Sequence, residues 1–98
     1  IIARITKYLK LHEDDDWSYV ERGMAYRDLG KYAEALEDIN HGISLRNDKA
    51  YYYFCRGELF LQNEKVRPAL IDFDSAVKIE PDDVLYLSCR AEALWEMG

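Results

Sequence analysis

Residues 19–45, YVERGMAYRDLGKYAEALEDINHGISL, are largely written a second time one fixed period later in the chain. Sliding the sequence by 34 positions lays Tyr19, Arg22, Gly23 and Tyr26 over Tyr53, Arg56, Gly57 and Phe60. The same shift lays Ala35, Leu36, Asp38, Ile39 and Gly42 over Ala69, Leu70, Asp72, Phe73 and Ala76. A period of that size built from two helical patterns marks an array of helical hairpins, each burying its apolar face against neighbours.

Working outward, Ile1, Ile5, Tyr8 and Leu9 share one face of a helix that ends near His12. An acidic loop follows, and one of Asp14, Asp15 and Asp16 is expected to cap the next helix while the others favour its positive end. That helix runs to about Leu29, with Gly30 closing it in a left-handed cap. A third helix over 32–45 buries Ala35, Ile39, Gly42 and Ile43. Gly23 facing Ala35 and Gly42 would let two antiparallel helices approach closely, which explains a mid-helix glycine about 1 kcal/mol less favourable than alanine. Asn47 and Asp48 are expected to cap a fourth helix reaching Gln62. Glu64 stands where the first unit has Gly30, so either Asn63 takes the left-handed geometry or the turn is looser. Pro68 falls in the first turn of a fifth helix, and Pro81 ends it. Asp82 or Asp83 caps a sixth, whose inward stripe reads Leu87, Arg90, Ala91 and Leu94, and Gly98 matches Gly30.

These residues resemble the tetratricopeptide repeat. Gly23, Tyr26, Gly30, Tyr32, Ala35 and Gly42 fit its pattern in one unit, and Gly57, Phe60, Ala69, Phe73, Ala76 and Pro81 in the next. Asn47 where Pro is usual, Glu64 where Gly is usual, and Tyr19 and Tyr53 where Trp is common depart from it. The resemblance implies an all-α fold, a right-handed superhelix of about six antiparallel helices, organised as one domain over 1–98. In that scheme 1–15 is the second helix of a preceding unit, 16–49 and 50–83 are two full units, and 84–98 is the first helix of a further unit or a capping helix. A chain that lacks an initiator Met and starts inside the pattern is expected to be a fragment. The resemblance further implies a concave groove, lined by the first helices, for peptides or partner proteins.

Periodicity leads to the same groove independently. Besides its inward stripe, the second helix carries another apolar line, Trp17, Val20 and Met24, about 130° away around the helix, with Arg27 in the same set. One period later the line reads Tyr51, Phe54, Glu58 and Leu61, and later still Leu85, Ser88, Glu92 and Trp95. The expected function is a protein-interaction scaffold that docks an apolar or amphipathic segment, with a Lys or Arg of the partner meeting Glu58 and Glu92. The competing expectation is self-association into a homo-oligomer through the end helices or the groove, since the sixth helix is apolar on more than one side. In some members of the family Lys, Asn and Arg side chains clamp a chaperone's C-terminal carboxylate. The matching slots here hold Val20, Met24, Cys55, Leu85 and Cys89, which offer no cation, so a chaperone tail is a disfavoured partner.

Other functions find less support. Nineteen acids against thirteen bases give a net charge of -6, and no basic patch stands out, so neither nucleic acid nor an anionic lipid surface is an expected partner. The apolar runs fall far short of the roughly 20 residues that span a bilayer. Cys55 and Cys89, one period apart on different helices, are expected as free thiols in a reducing, cytoplasmic setting. His12 beside Glu13 and the three aspartates reads as a solvated capping loop rather than a metal site, and His41 as an exposed helical residue. No nucleophile has a neighbouring base and no phosphate-binding loop is present, so neither catalysis nor a cofactor is expected. Arg22, Arg56 and Arg90 recur with the period, as do Asp38 and Asp72. Within an inward stripe this pattern predicts structural Arg–Asp pairs between neighbouring helices.

Overall fold

The computed structural model describes residues 1–98 as six helices without a strand: α1 (Ile2–Leu11), α2 (Asp16–Asp28), α3 (Tyr32–Leu45), α4 (Ala50–Gln62), α5 (Val66–Ile79) and α6 (Val84–Glu96). The bounds lie close to those read from the sequence, because Gly30, Pro68, Pro81 and the Asp residues punctuate the apolar periodicity. No helix is long and apolar enough to cross a membrane. The chain forms two compact units, Ile1–Asn47 and Asp48–Gly98.

In the first unit α2 and α3 form an antiparallel hairpin whose approach is set by two glycines. A Cβ on Gly23 would stand 2.8 Å from Ile39 Cγ1 and 3.0 Å from the Ala35 carbonyl oxygen; one on Gly42 would stand 2.5 Å from Val20 Cγ2. Gly23 therefore faces Ala35 as expected, but Gly42 does not face Gly23. Antiparallel packing brings the end of α3 to the start of α2, where Gly42 meets Val20 and the Asp16 carbonyl. Ile5 and Leu9 of α1 are buried, whereas Ile1 and Tyr8, expected on the same face, are exposed. Arg22 ties the unit together. Its Nε and Nη2 donate to the two carboxylate oxygens of Asp38 at 2.7 and 2.8 Å, and Nη1 donates to the Thr6 hydroxyl of α1 at 3.1 Å.

The second unit repeats this hairpin with α4 and α5 and adds α6 against α5. Arg56 donates to both oxygens of Asp72 at 2.8 Å. One apolar cluster gathers Ala50, Ala76, Val77 and Tyr86, and another gathers Ala69, Phe73 and Ala93. On α6 the buried side chains are Tyr86 and Ala93, not the expected stripe: Ala91 and Leu94 are exposed and Arg90 only half-buried. The reason is that α6 packs on α5, which lies before it in the chain, so it buries the face turned toward α5.

The helix ends correct several sequence expectations. After α2 the Gly30 amide donates to the Arg27 carbonyl and the Lys31 amide to the Tyr26 carbonyl, with Gly30 at φ +75°. After α4 the Glu64 amide donates to Leu61 and the Lys65 amide to Phe60 in the same double bond pattern. Glu64, and not Asn63, takes the left-handed geometry there, at φ 60°. The turn is thus as tight as its glycine counterpart, because these two bonds satisfy the last carbonyls of α4 only when the residue after the helix is left-handed. A side chain in that region costs about 1–2 kcal/mol, partly offset in any glycine replacement by the extra chain entropy glycine loses on folding. Glu64→Gly is accordingly expected to stabilise the second unit by about 1 kcal/mol. A urea midpoint that fell in the variant would refute this.

At the N-termini, Asp83 caps α6 by accepting from the Leu85 and Tyr86 amides. Asp15 holds the cap position of α2, but its carboxylate accepts from the Ser18 hydroxyl at 2.9 Å instead of a backbone amide. The cap position of α4 falls on Lys49 rather than on Asn47 or Asp48, and it makes no side-chain cap bond.

Candidate functional site

The residues expected to line a binding face fall into two groups by unit. On α2, Trp17 is 43% exposed, Met24 is half-buried, and Arg27 is half-buried with its guanidinium 3.5 Å from the exposed Asp28 carboxylate. Val20 overturns the expectation. It is 0% exposed, closed over by the backbone of Gly42, and cannot touch a partner.

On α4, Tyr51 is exposed, and Glu58 and Leu61 are half-buried. Phe54 holds the slot equivalent to Val20, and the structure shows where that slot points. Its ring lies 5.5 Å from Tyr86 of α6 and 6.4 Å from Phe73 of α5, so most of it serves helix packing. Leu61 likewise packs on the Ala69, Phe73 and Ala93 cluster. On α6, Leu85 and Glu92 are exposed, and Trp95 is 85% exposed.

Glu58 and Glu92 both act on Cys89, named in the sequence as an expected free thiol and an unsuitable clamp position. The Cys89 thiol is pushed up to about 11, first by burial and then by the negative charges of Glu58, Glu92 and Asp83. The negative charges of carboxylates on α4 and α6 thus act on one half-buried thiol, which at neutral pH stays protonated and a poor nucleophile. Tyr86 is a residue that sequence reasoning missed. Burial raises its phenol pKa, followed by the charges of Asp83 and Glu80. The signal was available: Tyr52 and Tyr86 are one period apart, and both are buried. Cys55, equivalent to Cys89, is a buried free thiol.

The remaining polar candidates have structural contacts. His41 is exposed, yet its ring stacks on Tyr19 at 3.9 Å between centroids, and His12 stacks on Tyr8 at 4.2 Å. On the first helices of the second unit the side chains with accessible surface are thus Tyr51, Glu58, Leu61, Leu85, Glu92 and Trp95. A Lys or Arg between aliphatic or aromatic neighbours is the complementary chemistry.

Residues 23–64 match the family model of the TPR repeat. No curated protein matches the chain significantly. Among solved structures, the first TPR of Spaghetti (RPAP3) bound to the HSP90 peptide SRMEEVD aligns at TM-score 0.91 and 22% identity, over 98% of this chain and 76% of that one. The second TPR domain of human RPAP3, in complex with the HSP70 peptide SGPTIEEVD, aligns at 0.85 and 23% identity over 94% and 77%. The Yersinia enterocolitica type III secretion chaperone SycD, in complex with a peptide of the translocator YopD, aligns at 0.88 and 13% identity over 99% and 79%. Other matched chains are longer, and this chain spans only 48% to 57% of them. At identities this low the likeness is one of fold.

Proposed function

Because the chain belongs to the tetratricopeptide-repeat family, we propose that it is a protein-interaction scaffold, working by binding without catalysis, and that its first helices dock an apolar or amphipathic peptide segment. The observation that carries this reading is the run of accessible side chains on the first helices of the second unit, Tyr51 of α4 and Leu85, Glu92 and Trp95 of α6 exposed and Glu58 half-buried, with the charges of Glu58 and Glu92 both acting on the Cys89 thiol. A docked segment places a Lys or Arg against these carboxylates and apolar side chains along Tyr51, Leu61 and Leu85. In unit one, Trp17 offers a half-exposed ring of the kind that anchors such segments. That structural neighbours are solved with bound peptides supports the general mode. The acidic face argues for a different ligand from an acidic tail, because carboxylates on both sides would repel across a partly dehydrated contact.

The test is fluorescence anisotropy with labelled peptides. Amphipathic peptides containing one Lys or Arg are expected to bind, and the joint change Glu58→Lys and Glu92→Lys to weaken them about tenfold or more, by reversing the sign of both charges. The peptide SRMEEVD should bind the parent chain poorly. Tighter binding of SRMEEVD than of the basic peptides, or indifference to the double charge reversal, would sink the proposal.

A further inference from the structure

Tyr86 is held by its ring and unbonded at its hydroxyl. The ring packs on Ala50 of α4 and on Ala76 and Val77 of α5, and its centroid lies 5.5 Å from that of Phe54. Only 6% of the residue is exposed. Its backbone amide donates to Asp83, but the phenolic hydroxyl makes no hydrogen bond in the chain. No fully buried side-chain nitrogen or oxygen lacks a partner. The hydroxyl is therefore where this residue meets solvent, a polar tip on an otherwise covered ring. Tyrosines placed this way ordinarily find a hydrogen-bond partner, because the hydroxyl of a buried ring is costly to leave unmatched.

Long helical side chains lean toward the start of their helix, so the hydroxyl points to the N-terminal end of α6, which also carries the exposed Leu85. Phe54 lies 5.8 Å from Tyr51 between ring centroids, so the three rings Tyr51, Phe54 and Tyr86 form a run from the exposed residue of α4 to the covered residue of α6. Burial first, then the negative charges of Asp83 and Glu80, keep the phenol protonated, so it has a proton to donate. Those charges also repel an anionic acceptor. The Asp83 carboxylate does not take the proton; its Oδ1 accepts from the Leu85 and Tyr86 amides. The acceptor that fits is an uncharged carbonyl.

We infer that the Tyr86 hydroxyl donates to a main-chain carbonyl of the docked segment, and that the segment is extended where it passes Tyr51 and Leu85. The inference rests on the peptide face proposed above and adds a positioning residue and a conformation to it. A helix interior has no such carbonyl to give, since each is already bonded to the amide four residues on. An extended chain presents its carbonyls to the surface it lies on. The residues that hold Tyr86 in place all belong to α4 and α5, so the hydroxyl is positioned entirely within the second unit.

The probe is a fluorescently labelled peptide alternating Leu and Ser about one central Lys, with flanking prolines that keep it extended. Tyr86→Phe removes the hydroxyl and keeps the ring. Because the hydroxyl is unbonded in the free chain, the urea midpoint of this variant should equal or exceed the parent's, while its affinity for the probe falls about threefold to tenfold. Replacing the peptide's amides by esters, one at a time, weakens single carbonyls as acceptors. One ester is expected to lower affinity for the parent but not for Tyr86→Phe, the coupling a direct contact leaves in a double-mutant cycle. Equal affinity of parent and Tyr86→Phe would overturn the inference, and so would the absence of any coupled ester. A lower urea midpoint in Tyr86→Phe would do the same, since the hydroxyl would then be bonded inside the fold. Tighter binding of a helical, Ala-rich peptide with the same Lys would overturn the extended conformation. In all these cases the docking face stands. If neither peptide binds the parent, the face falls and the inference with it.

Discussion

Arg56→Met is expected to destabilise the second unit by roughly 3 to 5 kcal/mol, the usual effect of stripping one partner from a buried ion pair. Asp72 is 2% exposed, and the two guanidinium bonds at 2.8 Å are made to its two oxygens. Methionine fills much of the arginine stem's volume but donates nothing, so the carboxylate is left in a dry hairpin without its bidentate partner. Urea unfolding followed by the loss of helical circular dichroism measures the effect. The double change Arg56→Met and Asp72→Leu should recover most of the loss, because removing both charges removes the desolvation burden as well. A single-variant loss below about 1 kcal/mol would mean that the pair behaves like an exposed one. Hydrogen bonding to Asp72 raises the Arg56 pKa above its ordinary value, outweighing burial, which acts to lower it. A cation whose folded pKa lies above its unfolded one contributes its stability fully below the unfolded pKa and loses it only as pH rises through the folded value. This arginine therefore gives no pH dependence to stability through the neutral and mildly basic range.

Gly57 is the second position where a single side chain should matter most. Two effects oppose each other there. Alanine in a helix interior is favoured over glycine by about 1 kcal/mol, which alone would make Gly57→Ala stabilising. Against that, the added Cβ would lie 2.6, 2.9 and 3.1 Å from three atoms of the Phe73 ring, and Phe73 has no exposed surface into which to turn. Overpacking of this kind costs typically 1–3 kcal/mol, so the clash wins and Gly57→Ala is expected to lower the unfolding midpoint. Gly57→Leu should exceed that range and abolish cooperative unfolding of the second unit. Phe73→Leu in the Gly57→Ala background should restore part of the loss, since the two residues share one space. A Gly57→Ala chain more stable than its parent would show that the hairpin can open by a few tenths of an ångström at little cost. Gly30→Ala makes the contrast: nothing lies within 4 Å of its added Cβ, and the expected loss there comes from the positive φ alone.

The repeat alone determined a good deal of this protein. The 34-residue shift paired Arg22 with Arg56 and Asp38 with Asp72 before any helix was placed, and burial of an arginine stripe already required partners of opposite charge. The helix bounds followed from local punctuation, since glycine, proline and aspartate act on the backbone within a turn of where they stand. Tertiary structure alone decided which equivalent residues are covered. Val20 and Phe54 occupy one slot, yet Gly42 closes over Val20 while Tyr86 and Phe73 share Phe54, because the neighbours differ in size. Leu94 repeats Tyr26 and Phe60 in register but lies open, because exposure depends on what packs above a residue and not on its own position in the pattern. Glu64 shows the same limit in the backbone. Its side chain argued against a left-handed turn, but two hydrogen bonds from the turn to the end of α4 hold that geometry. The influence of both Glu58 and Glu92 on the Cys89 thiol likewise depends on α4 and α6 each meeting α5, a relation between helices that no single stretch of sequence contains.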